Sequence, residues 1–147
     1  MDETLATSGL GLAEAVRSRD VSAVEVLEHS LQRIDALDAD LGAFVEIFRR
    51  RSRRQAAAVE RRVARGETQG AFLGVPYAIK DLDAVRFARL RAGSRHLRYA
   101  WSPVDAPQVT RQRESGVVLV GKTATSEFGL LPTVETDLHP PARNPWN

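Results

Sequence analysis

The chain has 147 residues, 43% of them hydrophobic and 27% charged, a composition typical of one soluble globular domain with a sizeable core. It has no cysteine, which excludes a disulfide framework, a thiolate nucleophile and a cysteine metal site. No apolar run reaches the roughly 18 residues of a membrane span, and the N-terminus lacks the basic-then-apolar order of a signal peptide. We therefore expect a cytoplasmic protein without a membrane partner, and the three scattered histidines predict no metal site.

The formal net charge is only +2, but the charges are unevenly distributed along the chain. Residues 1–48 carry ten acidic residues and three Arg, whereas residues 49–65 carry eight Arg and one Glu. Residues 86–98 add five Arg and no acidic residue. Two interpretations stay open: segments of opposite charge neutralise each other within the fold, or the basic segments face an anionic partner.

Two helices are predicted at the start of the chain, over about residues 10–18 and 22–37. Ser22 and Glu25 form a capping box for the second helix, in which the hydroxyl accepts from a free backbone amide and the carboxylate reaches back. Four apolar residues then recur on one helical face and predict a stripe directed at the core: Val24, Leu27, Leu31 and Ile34.

A short strand and an arginine-rich helix are predicted next. Residues 41–48 are dense in β-branched and aromatic residues, which favours a strand or an extended segment. Residues 49–65 form a helix that ends at Gly66, with Ala56, Val59 and Val63 on one face. The arginines could neutralise phosphates, but no aromatic residue interleaves them, and single-strand binders usually need stacking platforms. We therefore favour a solvated helix face that meets the acidic first helices, and a nucleic-acid partner of the chain is not expected.

The stretch 70–81 carries the residue that most suggests chemistry. A turn leads into an apolar run, which predicts a short, mostly buried strand over residues 75–79 that ends at Lys80. Burial disfavours a charged ammonium, so the pKa of such a lysine can fall until it acts as a base near neutral pH. Only two of the 21 basic residues are lysines, and arginine cannot be a general base. The alternative is an ion pair of Lys80 with Asp81 or Asp83.

A helix and a second strand follow. Residues 106–115 predict a helix that ends at Gly116, and residues 117–120 predict a buried strand parallel to the strand 75–79 in one sheet. Residues 116–123 match the phosphate-loop pattern, but that loop needs a strand before its first glycine, and here a helix precedes it. We therefore reject a nucleotide site and expect no cofactor.

Two further residues are candidates for supporting roles. Lys122 follows the second strand and either orients Lys80 or a neighbouring loop, or forms an ion pair with Glu127. That glutamate lies in a short helix predicted over residues 126–130. Ser94 lies in a tight Ala-Gly-Ser turn, where it is a turn residue or, alternatively, a substrate contact.

Five segments, in order and at fitting spacing, together resemble the amidase signature family over essentially the whole chain. They are residues 73–81 (LGVPYAIKD), 92–94 (AGS), 116–123 (GVVLVGKT), 127–129 (EFG) and 143–147 (RNPWN). The resemblance implies an α/β class, the N-terminal portion of an α/β/α sandwich with N-terminal helices followed by strands of a mixed sheet. It implies a single partial domain, with the helices in residues 1–40 and the start of the α/β core in residues 41–147.

The resemblance also implies hydrolysis of a carboxamide C–N bond, or amide transfer to glutamyl-tRNA in relatives, by a Ser–Ser–Lys triad. Lys80 matches the catalytic lysine of that triad, and Asp81, Ser94 and Lys122 fall in the matching motifs as pocket or supporting residues. The two serines of the family lie in a Gly/Ser-rich stretch downstream of Asn-Pro-Trp, beyond residue 147. We therefore expect this chain to be an inactive fragment or truncated paralogue.

Two departures from the family pattern bear on the substrate pocket. Phe87 and then Leu90-Arg91 stand where relatives commonly carry a glycine and then Thr-Thr, ahead of the Ala-Gly-Ser turn. Pro140-Pro141 stands where relatives carry Gly-Pro. These replacements put bulk and charge where small residues are expected at the mouth of the site.

Three hypotheses of function follow for the chain. The first is the amidase-family fragment, which takes a small amide if the site is completed. The second is a binding or regulatory module that pairs through an exposed sheet edge with a second copy or a complementing chain. The third is anion or nucleic-acid binding by the arginine-rich helix 49–65.

Overall fold

The computed structural model describes residues 8–146, so Asn147 of the last motif and the N-terminal Met-Asp-Glu-Thr-Leu lie outside the described residues. The α-helices within that range are α1 (Gly9–Ser18), α2 (Ala23–Leu41), α3 (Arg49–Ala64) and α4 (Pro107–Glu114). The strands are β1 (Phe44–Ile47), β2 (Pro76–Lys80) and β3 (Val118–Thr123), and two short 3-10 helices cover Arg95–Leu97 and Glu127–Gly129. The predicted α/β class, with N-terminal helices followed by strands of a mixed sheet, is confirmed.

The predicted capping box starts α2. The Ser22 backbone N–H donates to Glu25 Oε2 (3.0 Å), and the Glu25 N–H donates to Ser22 Oγ (3.2 Å). The helix runs four residues further than predicted, to Leu41. Its buried residues are Ala23, Val26, Leu27 and Leu31, so Val24 and Ile34 of the predicted stripe lie at its half-buried edges.

The three strands form one mixed sheet in the order β1-β3-β2. β1 pairs antiparallel with β3, with Glu46 opposite Lys122 and a register irregularity between Phe44 and Glu46. β2 runs parallel to β3, as the sequence predicts. The Val118 N–H donates to Val75 O (2.8 Å) near the start of the pair, and the Asp81 N–H donates to Thr123 O (3.0 Å) at its end.

β3 is longer than the predicted strand 117–120, because pairing with β1 carries it through Gly121, Lys122 and Thr123. Gly121 permits that pairing, since a Cβ at this position would collide with Glu46 O of β1. The helix α4 precedes Gly116 and a strand follows it, so the order of elements that argued against a phosphate loop is confirmed. The helix predicted at 126–130 is only a single 3-10 turn.

The chain divides into two compact units, and the described part of the first consists of residues 8–32, 48–77 and 111–120. The Arg17 guanidinium donates to Gly70 O (2.6 Å), which fastens the loop before β2 to α1. Glycine is required at 116, where φ is +92° and a Cβ would lie 2.9 Å from Leu73 Cα. The buried hydrophobic residues of this unit include Ala13, Val16, Leu27, Leu31, Ala56, Val59, Leu73, Val118 and Leu119.

The second unit consists of residues 33–47, 78–110 and 121–146 of the described range. Its buried residues mix apolar and polar side chains: Ile79, Val85, Ala88, Ala92 and Val109, with Asp81, Ser94, Ser102, Lys122, Thr125 and Ser126. All four candidate site residues belong to this unit. Within residues 8–146, no helix is both long enough and apolar enough to cross a membrane.

Candidate active site

Lys80 is the last residue of β2, as predicted, but its side chain is exposed. The expectation of a mostly buried strand is wrong, because β2 is an edge strand of the sheet and only Ile79 of its five residues is buried. Among residues 8–146, no side chain bonds to or pairs with the Lys80 ammonium. The burial on which the general-base hypothesis rests is therefore not supplied by the described residues.

The acids proposed as partners of Lys80 are bound to other groups. Asp83 Oδ1 accepts a hydrogen bond from Gln108 Nε2 (2.5 Å). The Asp81 carboxylate forms an ion pair with Lys122 instead. Both predicted pairings of Lys80 are therefore wrong, and the lysine is left available at the strand end.

A buried ion pair of Asp81 and Lys122 is the central feature of the site. Lys122 Nζ lies 2.5 Å from Asp81 Oδ1, and the side chains are 0% and 3% exposed respectively. Lys122 Nζ also donates to the backbone carbonyl of Arg89 (2.6 Å). Among the described residues Asp81 Oδ1 has no aligned hydrogen-bond donor, so the ion pair is what compensates for the burial of that oxygen.

The predicted pairing of Lys122 with Glu127 is wrong, and the reason lies in the strand register. Parallel pairing places Asp81, which directly follows β2, beside Thr123 of β3, and Lys122 is the residue before it. Opposite charges at the ends of the two predicted neighbouring strands are visible in the sequence. Their register is not, because it is set by hydrogen bonds between residues about 40 positions apart.

The Ala-Gly-Ser turn is held against the same ion pair through the backbone. The Ala92 N–H donates to Asp81 O (3.0 Å). Gly93 has φ +67°, and a Cβ there would lie 2.7 Å from Thr125 O, so only glycine fits. Ser94 is fully buried, and its Oγ accepts from the His96 N–H (3.3 Å) at the start of the 3-10 helix Arg95–Leu97. Ser94 is thus a turn residue, as one of its two interpretations stated.

The site therefore contains a fixed part and an available part. Asp81, Lys122 and the turn before Ser94 are joined by the contacts above and are buried. Lys80 follows Ile79 directly and precedes Asp81, but its ammonium contacts none of them. The buried ion pair fixes the position of the strand end. At that end, the Lys80 ammonium forms no hydrogen bond or ion pair with the described residues.

The arginine-rich helix α3 contacts an acidic residue of α2, which is not what is expected of a phosphate-binding surface. Arg53 forms a two-pronged ion pair with Glu28 of α2, at 2.6 Å from Nε to Oε1 and 2.8 Å from Nη2 to Oε2. The hydrogen bond from Arg53 holds the pKa of the Glu28 carboxyl below its ordinary value. The buried face consists of Ser52, Ala56, Val59 and Val63, which includes all three predicted residues. These contacts favour the predicted solvated face that meets an acidic helix.

Comparison with known proteins decides the family. A family model described as Amidase matches residues 25–147. The chain belongs to the amidase signature family. It is 40% identical over 141 residues to a glutamyl-tRNA(Gln) amidotransferase subunit of Anaeromyxobacter dehalogenans, covering 94% of this chain and 29% of that protein. It is 37% identical to the same subunit of Bdellovibrio bacteriovorus over 147 residues, all of this chain and 30% of that protein.

Solved structures of the amidase signature family agree with the fold. The structure of a bacterial aryl acylamidase belonging to that family superposes with a TM-score of 0.89 and 30% identity, covering 96% of this chain and 30% of that one. This amidase-family chain thus spans about 30% of the length of the relatives it matches.

Proposed function

We propose that this chain supplies the lysine-bearing part of an enzyme that hydrolyses carboxamide C–N bonds, with Lys80 as its base. The supporting observation is the available Lys80 ammonium at the end of β2, next to the buried ion pair of Asp81 and Lys122. The supporting comparison is membership of the amidase family over residues 25–147. We also propose that residues 1–147 have no amidase activity by themselves.

The chemistry explains why the chain alone is expected to be inactive. Amide hydrolysis needs a nucleophile that attacks the carbonyl carbon, a base that takes its proton, and donors that stabilise the oxyanion. Lys80 can take a proton only from a hydroxyl within hydrogen-bond reach and only while neutral. Among residues 8–146, no hydroxyl bonds to the Lys80 ammonium, and the side chain is exposed. A further chain segment that buries Lys80 and brings a serine to it would supply both conditions.

The buried ion pair has a positioning role in this proposal. Asp81 binds Lys122 through its carboxylate, Thr123 through its N–H and Ala92 through its carbonyl. Three fixed contacts on the residue after Lys80 hold the strand end in place. A base must lie within a few tenths of an ångström of its productive position, so these contacts prepare Lys80 for a partner group.

The first experiment uses the purified 147-residue chain and its Lys80→Ala variant with a panel of primary amides and anilides. We expect both proteins to give the same rate as buffer. Hydrolysis by the native chain that exceeds the Lys80→Ala rate would contradict the proposed inactivity.

The second experiment asks whether Lys80 works when the remaining part of the fold is present. Residues 1–147 replace the matching N-terminal part of the aryl acylamidase, and release of aromatic amine from an anilide is measured. We expect the chimera to be active and Lys80→Ala to reduce kcat by at least about 100-fold, the size of a typical general-base effect. Far-UV circular dichroism confirms that both chimeras are folded, and an active Lys80→Ala chimera would refute the role.

A second candidate function is that of a binding module. It is favoured by the position of β2 at one end of the strand order, where residue Tyr77 is 39% exposed. An edge strand with an exposed aromatic residue offers backbone groups and apolar surface to a further strand. The occupant proposed is a second copy of this chain or a complementing chain, and the oligomeric state in solution tests it.

A further inference from the structure

Three exposed aromatic rings and three exposed arginines lie together on the loop between β2 and α4. Phe87 is 67% exposed, Trp101 57% and Tyr99 73%. The rings of Phe87 and Trp101 have centroids 6.3 Å apart with an interplanar angle of 29°. We call Arg86, Phe87, Arg89, Arg98, Tyr99 and Trp101 the aromatic–arginine patch. All six residues belong to the second unit.

The guanidinium groups of the patch are arranged around its rings. Arg86 Cζ lies 4.7 Å from the centroid of the Phe87 ring, and Arg98 Cζ lies 5.3 Å from the centroid of the Tyr99 ring. The Arg89 guanidinium donates to the backbone carbonyl of Tyr99 (3.0 Å). The Phe87 and Tyr99 rings thus each have a guanidinium group at cation–π distance.

The patch is built on ordered backbone. The Phe87 N–H donates to Ser102 O (2.7 Å), the Leu90 N–H to Ala100 O (3.1 Å), and the Ser102 N–H to Ala88 O (3.1 Å). These three bonds hold the two segments of the loop side by side. The rings are therefore presented from a fixed ribbon, which lowers the entropy lost when a ligand binds.

Phe87 occupies a position that suits glycine. Its φ is +59°, in the left-handed region where a bulky side chain is an outlier that costs on the order of 1 kcal/mol or more. The ring buries little surface that could offset this cost, because it is 67% exposed. The exposed Phe87 ring is therefore accessible to a ligand.

The charges around the patch favour an anionic ligand. Residues 86–98 hold five Arg and no acidic residue. Three carboxylates approach from neighbouring segments: Glu46, Asp105 and Asp137. Glu46 Oε2 accepts from the Arg89 backbone N–H (3.2 Å) and lies 3.9 Å from the Arg91 guanidinium. Asp105 Oδ1 accepts from the Arg86 backbone N–H (2.7 Å). Asp137 Oδ2 lies 3.3 Å from Arg95 Nη1. Arg89 and Arg98 form no ion pair with the described residues, so their charges are left for an anion.

We propose that the aromatic–arginine patch binds single-stranded nucleic acid, with bases stacked on the rings and phosphates paired with the guanidinium groups of Arg89 and Arg98. Interleaved rings and arginines are the combination that single-strand binders use. The arginine-rich helix α3 lacks this combination, because no aromatic residue lies within residues 49–65. The ligand therefore belongs on the patch and not on α3, and this binding is independent of the amidase chemistry proposed for Lys80.

The proposal is tested by titrating a labelled oligonucleotide with the full chain at low salt and measuring fluorescence anisotropy. The oligonucleotide is a fluorescein-labelled single-stranded oligouridylate of about 12 nucleotides, a length within the usual single-strand site sizes. Phe87→Gly removes the ring and relieves the backbone, so that the fold is retained. We expect Phe87→Gly and Trp101→Ala each to weaken binding by about 5- to 100-fold, the range given by the loss of one stacked base. Arg98→Gln is expected to weaken binding and to reduce the salt slope by about one.

A matched control is available at Phe128, which is also exposed, has φ +51° and makes no ring contact with the patch among the described residues. Phe128→Gly, and Arg61→Gln on α3, are expected to change binding by less than about 2-fold, since neither removes a stacked base. Three results would each overturn the proposal. The first is no binding at low salt, and the second is binding by Phe87→Gly and Trp101→Ala as tight as that of the native chain. The third is a loss of binding in Arg61→Gln but in none of the patch variants. Self-association that Phe87→Gly abolishes, without oligonucleotide binding, would identify a protein interface instead and would also overturn it.

Discussion

Burying Lys122 and Asp81 removes two charges from water, at an effective cost of several kcal/mol for each ion. Two interactions of Lys122 Nζ offset this free-energy cost: the contact of 2.5 Å with Asp81 Oδ1 and the hydrogen bond to the Arg89 carbonyl. A buried ion pair of this kind contributes little to the free energy of unfolding, but the removal of one partner is strongly destabilising. Its value is geometric, because it ties the residue after Lys80 to β3 and to the loop that carries the patch.

Single substitutions in this pair are expected to be severe. Lys122→Met or Asp81→Asn leaves one uncompensated buried charge and should lower the free energy of unfolding by about 3–5 kcal/mol. The double substitution should cost clearly less than the sum of the two, because no charge is then left behind. Urea unfolding followed by circular dichroism measures the three values, and additive effects would contradict the contact.

At the scale of the helices, α2 and α3 are joined in the first unit by the Glu28–Arg53 pair and by the Ser22 hydroxyl, which donates to Glu60. The capping box and the 3-4 spacing of apolar residues are local features, so the sequence predicts both helices to within a few residues. The length of β3 and the partner of Lys122 depend on pairing between distant segments. No local pattern contains that information, which is why neither could be predicted from the sequence.

The Glu28–Arg53 pair gives α2 and α3 a weak pH dependence. The pKa of Glu28 is lowered from 4.5 in the folded chain, so its contribution is present above that pH and is lost as the pH falls through the lowered value. Both side chains are more than a third exposed, so Glu28→Gln should lower the free energy of unfolding by no more than about 0.5 kcal/mol at pH 7. Urea unfolding at pH 7 and pH 3 measures the effect.

Glu114→Gln on α4 serves as the control for that measurement, because the described residues show no ion pair or side-chain hydrogen bond for Glu114. The two variants should differ from each other at pH 7, and this difference should be smaller at pH 3. An equal loss at both pH values would assign the effect of Glu28→Gln to packing rather than to charge.

At the scale of the whole molecule, the chain corresponds to about 30% of the length of its relatives. Family membership and the α/β class could be predicted from five short motifs, because each motif fixes both backbone shape and chain order. The exposure of Lys80 could not, since it depends on which strands flank β2. The single-domain organisation and the small-molecule substrate stay predictions.

The exposed edge of β2 makes self-association the expected solution behaviour. Static light scattering of the full chain should show a mass above that of the monomer at high concentration. Tyr77→Lys places a charge on the edge strand and should shift the equilibrium to monomer. Leu130→Lys, which replaces an exposed apolar residue outside the sheet, should have no effect. A monomer at all concentrations would contradict the sheet-edge hypothesis.

The contrast between the two lysines also has a practical consequence for protein chemistry. Lys122 is shielded and held in an ion pair, whereas Lys80 projects into solvent without a partner in the described range. Since the sequence contains no other lysine, an amine-directed acylating reagent has one accessible side-chain target in the folded chain. Lys80, the residue proposed as the base, can therefore carry a dye, a spin label or a cross-linker without an engineered cysteine. The extent of its acylation measures whether another segment or chain covers the end of β2.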